Sequence, residues 1–300
     1  MIWLYDHRYG TYEGQTEANL RQGVVPKVTE SQHSNPDYIP LHRYWVDTNL
    51  VEDYLLSKNW KRNWMFAFRD VGPSERSMVI SVVPKAASGD TTPLLLPNHQ
   101  NVAGCAFLLA NLSSLCCDYA IRQKSTRMKL FVVKQAPVFA PPSDEMPTPW
   151  PGDKLLDFIT PRVLELTYTS HDLKDWAKDL GYDGEPFIWD KERRFKLKSE
   201  LDALFFHMYG LNREQVEWVL ESFNVLKGYE EKSFDKGGYG EFKTKRLILE
   251  SYDAMDYDIK KGRKYEPRWL TQNEEIQRLL SGENLHIEYK ETMKQPRGGG

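Results

Sequence analysis

Six prolines fall between Pro137 and Pro151, and this run limits the possible folds more than any other feature of the 300-residue chain. Proline has no backbone N–H and a fixed φ, so neither a helix nor a central strand continues through such a run. Short β-branched and apolar runs alternate with helical patterns before it, whereas helical patterns dominate after it. We therefore predict an α+β fold, in which a mixed strand and helix region is followed by a mostly α-helical region.

Composition and charge divide the chain further. We predict a connector segment at 1–52, a basic mixed α/β region at 53–143, a Pro-rich linker at 144–152, a helical region at 153–258 and a charged, partly disordered tail at 259–300. The whole chain has a net charge of −3, but 1–52 carries −3, 53–143 carries +6 and 144–300 carries −6. This asymmetry favours a polyanionic partner for the middle region; a solvated charged face is the alternative.

Periodicity predicts the main elements. Strands are expected in WMFAFRDV, RSMVISVVPKA and TPLLLP, and the apolar pattern predicts one long helix over 103–124. The run KLFVVKQAPVFAPP is then expected to be a strand. Beyond the linker, helices are expected in TSHDLKDWAKDLG, ERRFKLKSELDALFFHMYG, NREQVEWVLESF and KTKRLILESYDAM, the third with Asn212 and Gln215 as a capping box.

The sequence offers little for several other classes of protein. No stretch reaches the roughly 18 apolar residues of a membrane span, and the first residues lack the pattern of a signal peptide. The three cysteines, of which Cys116 and Cys117 are adjacent, have neither disulfide-framework nor CxxC spacing and are expected to be packing residues. We therefore expect a cytoplasmic protein without a membrane partner.

We find no convincing catalytic or metal-binding motif. NPDY at 35–38 is a partial match to the Asn-Pro-Pro-Tyr loop of amino-methyltransferases, but a plain turn is the better interpretation. FDKGGYGEF lacks the Gly-Lys-Ser/Thr of a phosphate-binding loop, and the histidines lack HExxH spacing. His207, on a predicted helix, is expected to be a packed histidine.

Five cations cluster between the predicted long helix and the following strand, where no Asp or Glu occurs from 119 to 143. Phosphate is a plausible counter-charge for them, and Arg, Lys and Gln are also the side chains that read base edges. Cations at a helix C-terminus also satisfy the helix dipole, which accounts for part of the cluster. The predicted DNA-binding residues are Arg122, Gln123, Lys124, Arg127, Lys129, Lys134 and Gln135, with Arg69, Arg76 and Lys85 extending the surface.

The stretch FLLANLSSLCCDYAIRQKSTRMKLFVVKQAPVFAPP resembles a pattern in the target-recognition region of adenine-specific DNA methyltransferases from restriction-modification systems. The stretches WKRNWMFAFRDVGPSERSMVISVVPKAASGDTTPLLLP, PRVLELTYTSHDLKDWAKDLGYDGEPFIWDKERRFKLKSELDALFFHMYGL and YGEFKTKRLILESYDAM resemble the same proteins. YDHRYGTYEGQTEANLRQG is similar to the segment that joins their catalytic part to this region. The resemblance covers about residues 5–255.

The resemblance implies double-stranded DNA as a partner, and an upstream methyltransferase catalytic domain or subunit that binds S-adenosylmethionine. We expect no catalysis and no cofactor in this chain, because the catalytic loop of the family is not matched. The hypothesis is the specificity part of an adenine methyltransferase in a restriction-modification or phage-defence system. The alternatives are a non-catalytic interaction subunit of a defence complex and a complete enzyme with a degenerate active site.

Overall fold

The computed structural model describes residues 1–72, 75–97, 101–125 and 127–275. The described elements, in chain order, are α1 (Glu17–Gln22), α2 (Glu30–His33), α3 (Thr48–Ser57), β1 (Trp64–Phe68), β2 (Ile80–Pro84), β3 (Leu94–Leu95), α4 (Val102–Ser113), α5 (Leu115–Arg122), α6 (Leu130–Val133), α7 (Leu155–Thr167), α8 (Lys174–Asp179), α9 (Lys191–Met208), α10 (Arg213–Glu221), α11 (Asn224–Glu230) and α12 (Lys243–Lys261), with short 3-10 helices at His171–Leu173 and Phe234–Lys236. The predicted α+β class is confirmed.

The three strands form a small antiparallel sheet in the order β2-β1-β3. Trp64 opposes Pro84 and Phe68 opposes Ile80, and all five residues of β1 are buried, as expected of a central strand. The α4 helix packs against β2 and α7, and α7 and α12 both pack against α9. All three strands lie where the sequence predicts them, because their apolar runs are bounded by turn residues.

One hydrophobic cluster contains residues from each of the five segments that composition separates, among them Leu4, Phe66, Trp150, Phe205 and Tyr265. The division into segments stays a prediction. Of the predicted tail, the described part at 259–275 is docked, with Tyr265 1% exposed. Residues 276–300 lie outside the described part of the chain.

Aromatic contacts join the mixed region to the helical region directly. The rings of Trp64 in β1 and Trp176 in α8 lie with centroids 4.6 Å apart. The indole Nε1 of Trp64 donates to Asp179 Oδ2 at 2.8 Å, and Arg62 forms an ion pair with the same oxygen at 2.9 Å. The Pro-rich linker is also anchored, because buried Trp150 stacks edge-on against Phe158 with centroids 5.1 Å apart.

The single long helix predicted over 103–124 is wrong, because the chain bends by 59° between α4 and α5. Ser114 leaves the helical region with φ −68° and ψ 147°, and its Oγ caps α5 by accepting from Cys117 N at 3.2 Å. Asp202 Oδ1 of α9 also accepts from Leu115 N at 2.6 Å. The first N–H groups of a helix lack partners within the helix and need acceptors from elsewhere. Because Ser114 and Asp202 supply two such acceptors here, a separate helix begins at Leu115.

The predicted strand after Lys129 is also wrong, since 130–133 form the one-turn helix α6. Val132 and Val133 are buried, so tertiary packing overrides the β preference of this LFVV run. In the described ranges no single helix has the length and apolar composition of a membrane span, although the bent α4–α5 pair meets both criteria together.

Candidate nucleic-acid interface

The predicted basic cluster lies on a compact loop between α5 and α6. Met128 anchors the loop, because its side chain is fully buried and its N–H donates to Asp70 O at 2.8 Å. Arg127 forms an isolated antiparallel bridge with Val71. Lys124 Nζ donates to Gln135 O at 3.0 Å and closes the loop from the other side. The fold therefore brings Lys124, Arg127 and Gln135 close together on one side of the molecule.

Four cations of this loop are exposed, and we name them the basic loop surface: Lys124, Arg127, Lys129 and Lys134. The amide side chains of Gln123 and Gln135 are exposed beside them. Within 1–72, 75–97, 101–125 and 127–275, Arg127 and Lys134 form no ion pair. Lys129 Nζ lies 2.5 Å from Asp70 Oδ2, so its charge is partly neutralised within the protein.

Two of the predicted DNA-binding arginines have structural roles instead. Arg76 is 7% exposed, donates from Nε to Asp118 Oδ2 at 2.6 Å, and also donates to Ser113 O. Arg122 lies 3.8 Å from Asp118 Oδ1 and stacks on the ring of Phe223 at 3.9 Å. Asp118 is fully buried, and a buried carboxylate needs such partners. Arg76 is therefore buried and paired within the protein and adds nothing to an exposed surface, and Arg122 is half-buried.

Lys85 and Arg69 extend the predicted surface poorly. Lys85 follows β2, and its N–H donates to the carbonyl of Asn63, which lies just before β1. Arg69 lies just after β1, at the other end of the sheet. At ~3.4 Å per strand residue, the two are about 20 Å apart. Lys85 forms an ion pair with Glu52 at 3.2 Å. Arg69 is half-buried, and burial lowers the pKa of its guanidinium. Lys85 is therefore not part of the basic loop surface.

The sequence analysis missed the apolar part of this surface. Phe131 is 66% exposed and Leu130 is 38% exposed, next to the cations of the loop. Val71, which bridges to Arg127, is 52% exposed. The expectation of a strand concealed this pattern from the sequence analysis. In a strand, alternate residues face opposite sides, whereas in the one-turn helix α6 the neighbours Leu130 and Phe131 are exposed and the neighbours Val132 and Val133 are buried. An aromatic ring among cations is a common feature of surfaces that stack on bases.

The remaining candidate groups have structural explanations. Cys116 and Cys117 are buried, as predicted, and burial raises the pKa of each thiol to about 12, so neither is an activated nucleophile. The 35–38 segment is a turn, as predicted, with Asp37 N donating to Asn35 Oδ1 at 3.0 Å. His207 stacks on Tyr252 with centroids 3.9 Å apart. In the part of the chain that the structure describes, no three His, Cys, Asp or Glu side chains form a metal-binding group.

Comparison with known proteins gives no relative for this chain: no family model, no curated protein and no solved structure matches it.

Proposed function

We propose that this protein binds double-stranded DNA through the basic loop surface and is the target-recognition part of a site-specific adenine methyltransferase in a restriction-modification or phage-defence system. S-adenosylmethionine and catalysis belong in this proposal to an upstream catalytic domain or subunit. The site of action is the cytoplasm. The proposal rests on the sequence resemblance and on the geometry of the loop.

The observation that supports DNA binding most directly is the state of Arg127 and Lys134. Both are exposed, both lie on one loop, and neither has an ion-pair partner in the described ranges. Exposed cations without a described ion pair also occur elsewhere, as at Lys61 and Lys191, but here three of them, Lys124, Arg127 and Lys134, lie on one short loop. Unpaired cations concentrated on one surface are the arrangement that phosphate oxygens complement.

The same surface offers groups for base recognition. The carboxamides of Gln123 and Gln135 can form bidentate hydrogen bonds with adenine. Phe131 adds an apolar contact of the kind made with a thymine methyl group or with an unstacked base. The proposal assigns phosphate contacts, which position the protein, to Lys124, Arg127 and Lys134, and sequence reading to the amides.

A charge-reversal pair tests the surface. Arg127→Glu with Lys134→Glu should weaken binding to a short random duplex about tenfold or more at low salt, because two phosphate contacts become repulsive. The matched control is Lys61→Glu with Lys191→Glu, which changes the net charge equally at exposed sites away from the loop. Equal loss in both pairs would indicate a general charge effect, and no loss in the first would overturn the proposed surface.

A second candidate function, a protein-interaction subunit, is favoured by an exposed apolar run in the predicted connector. Between residues 39 and 50, Ile39, Tyr44, Trp45 and Leu50 are 63–79% exposed. Contiguous exposed apolar side chains commonly mark a protein contact. Tyr44→Ser with Trp45→Ser should abolish copurification with a co-expressed upstream methyltransferase subunit, whereas Phe234→Ser, at a side chain 78% exposed elsewhere, should not. Retained copurification would argue against this function for the run.

A further inference from the structure

A cavity of about 180 Å³ lies between α9, α11, the α4–α5 junction and the N-terminal segment. A cavity of this size holds several water molecules or one small ring compound. Tyr229 lines the cavity and is 46% exposed, so the cavity reaches the surface. Typical sites for drug-sized ligands and cofactors are larger, about 300–1,000 Å³, so any ligand must be small.

Two ionisable side chains of α9 line this cavity without forming an ion pair. Lys198 and Asp202 are four residues apart, which places them on the same face of the helix with Cβ atoms about 6 Å apart. In the described part of the chain neither has an ion-pair partner within 4 Å. Asp202 Oδ1 accepts from Leu115 N at 2.6 Å, which leaves its second oxygen for another donor.

Charges of both signs line the cavity, since Glu75, Arg76 and Glu230 line it together with Lys198 and Asp202, and burial disfavours the charge of the last two. Burial raises the pKa of the Asp202 carboxyl to about 6 and lowers the pKa of the Lys198 ammonium to about 8. Both shifts favour the neutral form, which is the effect of removing water from a charged group. A ligand that brought its own full charge would also lose its hydration there, so the site favours a neutral ligand with hydrogen-bonding groups.

The walls favour a flat ring. The aromatic side chains of Trp3, Phe195 and Tyr229 line the cavity together with aliphatic groups such as Leu115 and Leu226. The buried Ser113 also lines it, and its Oγ forms no hydrogen bond with any described residue. A ring with polar edges would pack on the apolar walls and satisfy these polar groups.

Tyr5, another lining residue, has an unusual backbone conformation. It lies in the left-handed region with φ 57°, and only one other described non-glycine residue, Asn59, does so. Tyr5 N donates to Ile80 O at 3.2 Å, and Arg194 donates to Tyr5 O at 3.1 Å, so the neighbours hold this conformation. Such strain persists where the surroundings enforce it and is concentrated at ligand sites.

We infer that this cavity binds a neutral heteroaromatic ring with a hydrogen-bond acceptor beside a donor, the chemistry of a nucleobase such as adenine or cytosine. Lys198 donates to the ring acceptor and Asp202 accepts from the neighbouring amino group. The ring lies against the aromatic walls. The inference stands apart from the proposed DNA-binding surface, because it depends on none of the same side chains.

Binding of free adenine and cytosine, measured by saturation-transfer NMR and calorimetry on the full chain, tests the inference. Lys198→Met and Asp202→Asn should each weaken binding about tenfold or more, because each removes a charged hydrogen-bond partner of the ligand in a cavity partly closed to water. The controls Lys191→Met and Asp183→Asn, at exposed positions, should leave it unchanged. Indole, which has the ring but no acceptor beside its donor, should bind much more weakly than adenine.

A second experiment, with short single-stranded oligonucleotides, distinguishes a base within a nucleic acid from a free base as the ligand. If the oligonucleotide competes with the free base, and if Lys198→Met abolishes this competition, the ligand is a base within a nucleic acid. If only the free base binds, the ligand is a metabolite. No binding of either base at millimolar concentration overturns the inference. Indole binding as tightly as adenine, or binding unaffected by both α9 variants, overturns it as well. The Arg127 and Lys134 variants serve to separate a failure here from a failure of the proposed function.

Discussion

Asp118 determines which arginines of the basic region reach solvent. It is fully buried at the C-terminal side of the α4–α5 bend and accepts from Arg76 Nε at 2.6 Å and from Ser77 N at 3.1 Å. Arg122 lies close enough to share its charge. In sequence, Asp118 stands just before an acid-free stretch, so nothing there indicates that it recruits Arg76 from 42 residues away.

Replacing Asp118 should therefore be strongly destabilising. Asp118→Asn leaves the buried Arg76 guanidinium without its counter-charge, and breaking a buried pair from one side typically lowers the free energy of unfolding by about 3–5 kcal/mol. Urea unfolding measures the change. Asp256→Asn is the matched control, since its partner Lys260 is 73% exposed and the loss should stay within about 0.5 kcal/mol. A small effect at position 118 would show that Arg76 is satisfied in another way.

A second buried carboxylate predicts a dependence of stability on pH. Burial opposes ionisation of Asp6, but the hydrogen bond from His33 and the charge of Arg194 outweigh it and lower the pKa of Asp6 to about 2. Because the folded pKa lies below the unfolded value of about 3.8, the stabilisation is complete above about pH 4 and is lost as pH falls through about 2. The size of the contribution is about 2 kcal/mol.

The comparison of wild type with Asp6→Asn measures this contribution. The variant should be less stable in urea unfolding at pH 6, and the difference should shrink between about pH 4 and about pH 2 as the wild-type carboxylate is protonated. A difference that stays constant over this range would mean that Asp6 stabilises the fold through shape and not through its charge.

At the scale of elements, local sequence patterns predicted the helix ends that depend on neighbouring residues. They did not predict the ends that depend on hydrogen bonds to distant parts of the chain. The capping box of Asn212 and Gln215 forms at the start of α10, as its spacing predicted. The α4–α5 bend depends on Asp202, which is 87 residues away from Leu115, and no local pattern indicates it. The α6 turn depends on burial of Val132 and Val133 and on the Met128 bond to Asp70, which are also distant contacts.

The bend itself makes a prediction at this scale. Ser114→Ala removes the Oγ that caps α5 and also donates to Asn111 O at 2.8 Å, so it should lower the free energy of unfolding by about 1 kcal/mol. Ser113→Ala is a matched control one residue earlier, because the Ser113 Oγ has no hydrogen-bond partner among the described residues. Equal effects in urea unfolding would show that the Ser114 cap is not what stabilises the bend.

At the scale of the whole molecule, the proline run that divides the sequence does not divide the described core. The Trp64–Trp176 contact and the buried Trp150 join the segments on both sides of it. Proline controls where helices and strands end, but it does not limit which surfaces later pack together. For this reason most of the order of elements was predictable from the sequence, apart from the α4–α5 bend and α6, whereas the sharing of one core was not.

This packing predicts cooperative unfolding. Far-UV circular dichroism, which reports the helices, and tryptophan fluorescence, which reports the shared core, should follow a single coincident transition in urea. Two separated transitions, or a stable folded fragment covering 53–143, would instead support independent domains with a boundary in the linker.

The location of the candidate surface was predicted in part, and its role stays a prediction. The sequence located the loop and its exposed Lys124, Arg127 and Lys134, since a stretch without acids is visible locally. It assigned Arg76 and Lys85 to the surface because their partners, Asp118 and Glu52, come from elsewhere in the chain. The structure reduces the cations without an internal carboxylate partner on this surface to three within the described ranges: Lys124, Arg127 and Lys134.

The salt dependence of duplex binding tests the central claim most directly. Three phosphate contacts, by Lys124, Arg127 and Lys134, predict a slope of log affinity against log salt of about −3, from roughly −0.9 per contact. In the variant with Arg127→Gln and Lys134→Gln the slope should fall to about −1, whereas Lys61→Gln with Lys191→Gln should leave it near −3. A slope near zero in the wild type, or an unchanged slope in the first variant, would contradict DNA binding by the basic loop surface.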